Sequence, residues 1–291
     1  MAFRREMIQS KLVFITGATG VLGSALMNCF WKSGWSLALS ARDEHKLKAL
    51  IDKLEKRVGQ SLFIFPCDLS DPIQVNKVAL NAISILPRID ALVNTAAIHG
   101  PIGPFIENDQ SLWHKAMQVN FLSPIALCKF FGELMKEKGH GSIVNISGGG
   151  GAGNRPNFSS YACAKTALIR FSEIFSSELL SSGVRVNCVA PGLMKSKMLL
   201  EATDNKSSLT PKEISAAMEV IASNENSLYE VEKLVLFLAG DESAEISGKL
   251  ISAVWDRWDV WPSYAAELKE TDLYTLRRIT AKDRGFEWGD L

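Results

Sequence analysis

Leu12-Val13-Phe14-Ile15-Thr16 runs straight into Gly17-Ala18-Thr19-Gly20-Val21-Leu22-Gly23. The first five residues are apolar without alternation, the pattern of a strand covered on both faces. From Val21 to Trp31 the pattern is helical. The glycines between have separate uses: Gly17 permits the tight turn, Gly20 lets backbone approach a pyrophosphate, and Gly23 allows close packing at the helix start. The helix N-terminus brings free N–H groups and partial positive charge to phosphate oxygens. A glycine triplet alone fits any tight strand–helix turn. Its position near the start of a strand–helix–strand unit makes Gly17, Thr19, Gly20, Val21, Leu22 and Gly23 a candidate dinucleotide cradle.

The same alternation continues outward. Strands are expected at Ser36–Ser40, Leu62–Phe65, Ala91–Val93, Ser142–Ile146, Arg185–Val189 and Leu250–Val254. Between them lie helical patterns at His45–Val58, Ile73–Ile85, Ser111–Lys136, Tyr161–Leu180 and Leu228–Leu238. The long pattern is apolar almost all round near Phe121–Phe131, which marks a buried helix. Short apolar strands separated by helices predict an α/β fold, a doubly wound parallel sheet with right-handed crossovers. No repeat or linker divides the chain, so residues 1–291 read as one domain, with its core at about 11–254. Two stretches stand outside the alternation: a polar segment at about 193–226, expected to form a lid, and a Trp-rich C-terminal extension, 255–291.

Composition narrows the function classes. The 32 Lys and Arg balance the 32 Asp and Glu, which argues against nucleic-acid binding through bulk basic charge. No apolar run approaches the roughly 18–20 residues of a membrane helix, and the apolar stretch after the basic start Met1–Lys11 is too short for a signal-peptide core. Cys29, Cys67, Cys128, Cys163 and Cys188 are odd in number and widely spaced. They suit reduced thiols in the cytoplasm rather than a disulfide framework or zinc site. With four histidines, no metal site is expected.

The turn Thr16-Gly17-Ala18-Thr19-Gly20-Val21-Leu22-Gly23 resembles the T-G-x-x-x-G-x-G turn of the short-chain dehydrogenase/reductase family, its middle glycine one place early. Asn94-Thr95-Ala96-Ala97 is similar to the family's N-N-A-G, with two positions changed. Asn120 in Gln118-Val119-Asn120-Phe121 stands at the family's helix asparagine. Tyr161-Ala162-Cys163-Ala164-Lys165 matches Y-x-x-x-K, and Pro191-Gly192 follows the sixth strand. The resemblance spans about residues 11–254. It implies a Rossmann-like fold and an NAD(P)-dependent oxidoreductase that interconverts a carbonyl and a secondary alcohol. It further implies cofactor contacts at Asp68, Leu69, Asn94, Ala96, Pro191 and Gly192. After the second strand, Ala41 takes the place of the acid that would accept from a ribose 2′-hydroxyl, and Arg42 follows, so NADP is favoured with NAD possible.

Tyr161 and Lys165 are four apart and share a helix face. A phenol with a pKa near 10 needs a neighbouring ammonium and the cofactor's charge to exchange a proton near neutrality. The resemblance makes Tyr161 the acid/base, gives Lys165 the nicotinamide ribose, and makes Asn120 the link to a water relay. The chain departs from the family at the substrate-orienting serine: that place is Gly148, within Gly148–Gly151, and Ser147 is the candidate to replace it. Adjacent strand residues point to opposite faces, so that replacement requires a bend.

Around the expected substrate side lie His99, read as a loop histidine, and Arg155, a candidate for an anionic group. Trp255, Trp258 and Trp261 recur every three residues, as a packing stripe or an aromatic or sugar platform. The tail resembles a bacterial subgroup associated with surface-polysaccharide sugar metabolism, which makes a nucleotide-linked sugar one possible substrate and a small carbonyl compound another. A different class, a dinucleotide-binding regulatory or scaffold protein with little turnover, is favoured by Gly148 and by the altered Asn94–Ala97. An extended sugar-epimerase type would need a larger C-terminal domain. The apolar helices at Phe121–Phe131 and Phe171–Leu180 resemble those that pair subunits in this family, so a homodimer or homotetramer is expected.

Overall fold

The computed structural model describes residues 10–223 and 228–288. The basic start, the end of the expected lid at 224–226 and the last three residues of the extension lie outside the described residues. In chain order the elements are β1 (Leu12–Thr16), α1 (Val21–Lys32), β2 (Ser36–Ala41), α2 (Glu44–Ile51), β3 (Leu62–Pro66), α3 (Pro72–Ile85) and β4 (Ala91–Asn94). Then come α4 (Gln110–Met117), α5 (Ser123–Lys138), β5 (Gly141–Ile146), α6 (Ser159–Glu178), β6 (Val184–Ala190), α7 (Lys197–Asp204), α8 (Pro211–Ala222), α9 (Tyr229–Ala239), β7 (Leu250–Ser252) and α10 (Ala265–Glu270). The strands form one sheet in the order β3-β2-β1-β4-β5-β6-β7, and every pair is parallel. This is the expected doubly wound α/β fold.

The non-alternating strands are explained by cover on both faces. Val13 and Ile15 join a core with Leu26 and Phe30 of α1 and Leu234 and Leu238 of α9. Leu12 and Phe14, pointing the other way, join a second core with Val75 of α3 and Leu127 and Phe131 of α5. Strand order reverses between β1 and β4, which opens a ligand crevice beyond their C-terminal ends. Helix starts are fixed locally. Asp43 accepts from the Lys46 N–H at 2.9 Å, and Asp71 and Asp109 cap α3 and α4 in the same way.

Several boundaries differ from the periodicity. The helix expected to reach Val58 stops at Ile51. The Trp31 indole takes the Glu55 carbonyl at 2.8 Å, and Gln60 bonds the Trp31 and Trp35 carbonyls at 2.9 and 2.7 Å, so tertiary bonds draw the chain out of the helix. The long helix expected over Ser111–Lys136 is broken by a π turn at Gln118–Leu122. Pro124 has no N–H to give the Asn120 carbonyl, and the Ser123 N–H bonds the Gln118 carbonyl instead. Strand β7 ends at Ser252 rather than Val254, because the Ser252 hydroxyl accepts from the Trp255 N–H at 3.1 Å and Asp256 accepts from the Ser252 N–H at 2.7 Å.

The described part of the segment expected as a lid, 193–223, contains two helices, α7 and α8. The start of α8 is legible in Thr210-Pro211-Lys212-Glu213: Thr210 and Glu213 form a reciprocal capping box with Pro at the first turn. The extension runs along the outer edge of the sheet. The Leu250 N–H bonds the Tyr274 carbonyl at 2.8 Å, and Lys249 Nζ donates to Thr271 and Leu273 carbonyls at 3.1 and 2.9 Å. This covers the unpaired side of β7, an edge that would otherwise be a template for association.

The tryptophans do not converge on one platform. A 3₁₀ turn at Trp258–Tyr264 puts residues three apart on one side. Trp261 is buried with its ring 4.3 Å from that of Tyr274, and Trp258 packs on Phe237. Trp255 lies in the preceding turn and is 84% exposed. We expect Trp261→Ala to cost about 3 kcal/mol of unfolding free energy, and Trp255→Ala to stay within about 0.5 kcal/mol of the parent. Denaturant titrations of the two variants check the contrast.

Candidate active site

The crevice floor is the β1–α1 turn. Gly17 has φ +65°, and a Cβ there would sit 2.8 Å from the Ala96 Cα. A Cβ at Gly23 would sit 2.2 Å from the Gly17 carbonyl oxygen, so this glycine lets the first helical turn fold onto the loop. Gly20 is the N-cap of α1 and supplies no side-chain cap. The first-turn N–H groups at Val21, Leu22 and Gly23 therefore face the crevice as uncapped donors. Thr19 is half-buried beside them. The far wall is locked to the turn: the Thr95 hydroxyl donates to the Thr16 carbonyl, and the Thr95 N–H bonds Thr16 Oγ1 at 3.2 Å.

At the end of β2, Asp43 is spent as the α2 cap. Arg42 is exposed and makes no ion pair among the described residues. Asp68 uses one carboxylate oxygen, Oδ1, on the Ser70 N–H and hydroxyl at 2.9 and 2.8 Å. Leu69 is buried, and its carbonyl accepts from Ser123 at 2.6 Å. Asn94 ends β4 and donates to Asn145 at 2.8 Å, while its Oδ1 is buried without a partner. Pro191 and Gly192 follow β6. Gly192 has φ +80°, and a Cβ there would meet Val254 Cγ2 at 2.7 Å.

An uncapped helix start, glycines that hold the loop close, an orphaned Asn94 oxygen and an exposed Arg42 guanidinium fit a dinucleotide. Among the described residues, no group of three or more His, Cys, Asp or Glu could hold a metal ion.

Tyr161 and Lys165 lie one turn apart on α6, both buried. Lys165 Nζ donates to the Ile146 carbonyl at the end of β5, at 2.7 Å. Burial pulls its ammonium down to about 8. Burial pushes the Tyr161 phenol up to about 12, against a weaker opposing pull from Arg155. Asn120, in the π turn, holds the β4 loop on both sides: it accepts from the Ile98 N–H at 2.9 Å and donates to the Ile98 carbonyl at 2.7 Å. Its amide is thus committed to the loop, while its own carbonyl has no N–H to receive from Pro124.

At the serine position, a Cβ on Gly148 would fall 2.0 Å from Tyr161 Oη. The tyrosine hydroxyl fills the space that a side chain there would need. Ser147 is buried with no hydrogen-bond partner. Its Oγ is 2.7 Å from where a Gly151 Cβ would sit, on the side of Ile169. Ser147 and the Tyr161 hydroxyl are therefore not hydrogen-bonded.

His99, read from sequence as an ordinary loop residue, is 6% exposed. Its ring stands edge-on to Phe158 and to Tyr161, each centroid 5.4 Å away. Its sequence signal was its place five residues after Asn94, on the loop that Asn120 pins. Arg155 lies over the Phe158 ring and pairs with Glu213 of α8, its Nε 3.1 Å from Oε1. It ties α8 to the loop after β5. Among the described residues no helix is long and apolar enough to cross a membrane.

The sequence model for short chain dehydrogenases matches residues 11–207. An uncharacterized oxidoreductase of Thermotoga maritima is 31% identical over 248 residues, covering 84% of this chain and 96% of its own. The crystal structure of levodione reductase superposes with a TM-score of 0.74 at 25% identity, covering 83% of this chain and 95% of that one. The NADP-bound structure of ElxO gives 0.71 at 26% identity, covering 84% and 97%. This chain belongs to the short-chain dehydrogenase family and is an NAD(P)-dependent oxidoreductase.

Proposed function

We propose that this enzyme interconverts a small-molecule carbonyl and its secondary alcohol, with NADP as the preferred cofactor and Tyr161 as the acid/base. The observation that carries the reading is the buried Lys165 ammonium behind Tyr161, one helical turn away and anchored on Ile146. A buried ammonium with a single carbonyl partner is costly. A merely regulatory or scaffolding dinucleotide binder has no need of it, which disfavours that alternative. A bound dinucleotide supplies the hydride in reduction and takes it up in oxidation.

The N–H groups after Gly20 receive the pyrophosphate. Gly17, Thr19 and Gly23 shape that seat, Asp68 and Leu69 bound the adenine side, and Asn94, Ala96, Pro191 and Gly192 bound the nicotinamide side. Lys165 holds the ribose. Tyr161, neutral at physiological pH because burial raises it to about 12, gives its proton to the substrate oxygen in the reductive direction. Ser147, whose hydroxyl is buried on the Gly151 side without a partner, is not placed on that oxygen in this reading, and Asn120 positions the β4 loop. The five free cysteines suit a reducing cytosol. A groove between α5 and α6, with Leu122, Ile125, Phe171 and Phe175 among its lining residues, supports pairing of two copies.

Three outcomes follow. Tyr161→Phe should lower kcat for NADPH-dependent carbonyl reduction by roughly 100- to 10,000-fold with NADPH affinity nearly unchanged, read by absorbance and calorimetry. Arg42→Asp should weaken NADPH by at least about tenfold, the scale of one charge-assisted hydrogen bond, and NADH far less; an equal effect on both nucleotides would remove Arg42 from the 2′-phosphate. Light scattering should give at least twice the 32.0 kDa chain mass, and Leu122→Glu should shift the protein toward monomer.

A further inference from the structure

The crevice beside Tyr161 carries no side-chain hydroxyl at position 148, and with Tyr161 where it stands it has no room for one. A Cβ at position 148 would fall 2.0 Å from Tyr161 Oη, and Ser147 faces Gly151 instead. A carbonyl oxygen that receives only the Tyr161 proton would lack a second oriented donor, and such a donor is worth about 100-fold or more in rate.

One polar group at the same crevice is buried, neutral and without a partner. His99 Nδ1 makes no hydrogen bond. The nearest carboxylate oxygen, Oε2 of Glu201 on α7, is 3.9 Å away, beyond hydrogen-bond reach. The main chain that carries the imidazole is held from several sides. The Ser160 hydroxyl donates to the His99 carbonyl at 3.0 Å, and Asn120 clamps Ile98 just before it. Gly100 just after it takes φ +71°, and a Cβ there would meet Ser160 Oγ at 2.6 Å and the Ala116 Cβ at 2.7 Å. The ring is edge-on to Tyr161. Such a clamp around an unpartnered nitrogen is a preorganised site for a polar atom of a ligand.

Building on the proposed carbonyl–alcohol chemistry, we propose that His99 is the second group on the reacting oxygen, in place of the serine hydroxyl that Gly148 removes. In reduction the hydride goes to the carbonyl carbon, the Tyr161 proton goes to the oxygen, and the imidazole donates a hydrogen bond while keeping its proton. In oxidation the same ring contacts the alcohol oxygen. Burial, with the Arg155 guanidinium nearby, draws the imidazole down to about 4. It is therefore neutral at physiological pH, with one N–H and one lone pair, and does not compete with Tyr161 as the proton source. The site suits a ketone or secondary alcohol whose oxygen enters between Tyr161 and His99.

The test follows NADPH oxidation with phenanthrenequinone and diacetyl as probes, for the parent protein, Tyr161→Phe, His99→Ala and His99→Asn. NADPH affinity and melting temperature are measured alongside. His99→Ala should lower kcat on the order of 100-fold with NADPH affinity unchanged, and His99→Asn, whose amide also donates, should recover most of the loss. In the parent complex with NADP+ and diacetyl, nitrogen NMR should show the His99 ring resonances moving when the diketone binds. Turnover lost in Tyr161→Phe but kept in His99→Ala would overturn the His99 assignment alone. Parallel loss of NADPH affinity and melting temperature in both His99 variants would reduce the residue to packing and overturn it too. No turnover of either probe by the parent, with NADPH bound, would overturn the carbonyl chemistry and this inference with it.

Discussion

The site depends on one costly interaction, the burial of the Lys165 ammonium against the Ile146 carbonyl. Taking an ammonium out of water costs several kcal/mol even after relaxation, and a single neutral carbonyl returns only part of that. The contact fixes α6 on the C-terminal end of β5. With α6 so placed, the Tyr161 hydroxyl meets the chain at Gly148, where a Cβ would fall 2.0 Å from it. A side chain at 148 would need the tyrosine to shift, so the departure there leaves room for Tyr161 where it stands.

Much of this was readable from residue order. The parallel sheet followed from short strands with apolar residues on both faces, and Val13, Ile15, Leu12 and Phe14 divide between two cores for that reason. The glycine turn was legible because its glycines answer to steric limits that operate within a few residues. Tyr161 and Lys165 were legible because a helix brings residues four apart to one face. What stayed hidden depended on contacts far apart in sequence. Trp31 takes the Glu55 carbonyl and ends α2 early. Glu213 reaches Arg155 across the crevice. His99 looked like an ordinary loop residue because its burial comes from Phe158 and Tyr161, some sixty residues on. Two departures carry a local signal in the sequence: Pro124, which breaks the long helix at the π turn, and the capping box that starts α8.

Helix α8 and the C-terminal extension each make a long-range tie. Arg155 is tied to Glu213 and lies over Phe158, so it joins the β5 loop to α8 and is less available to an anionic substrate than its place in the sequence suggested. The extension closes the β7 edge and inserts Trp261 into the core beneath α9. Main-chain pairing along that edge is therefore taken up within the chain itself.

The proposed chemistry sends hydride to a carbonyl carbon in this crevice, with Tyr161 as its proton partner. Its most direct measurement is mass and NMR analysis of the alcohol formed from a carbonyl probe and NADPH deuterated at the transferring position. Deuterium is expected on the carbinol carbon of the product. An alcohol formed without label at that carbon, or NADPH consumed with no alcohol formed, would contradict it.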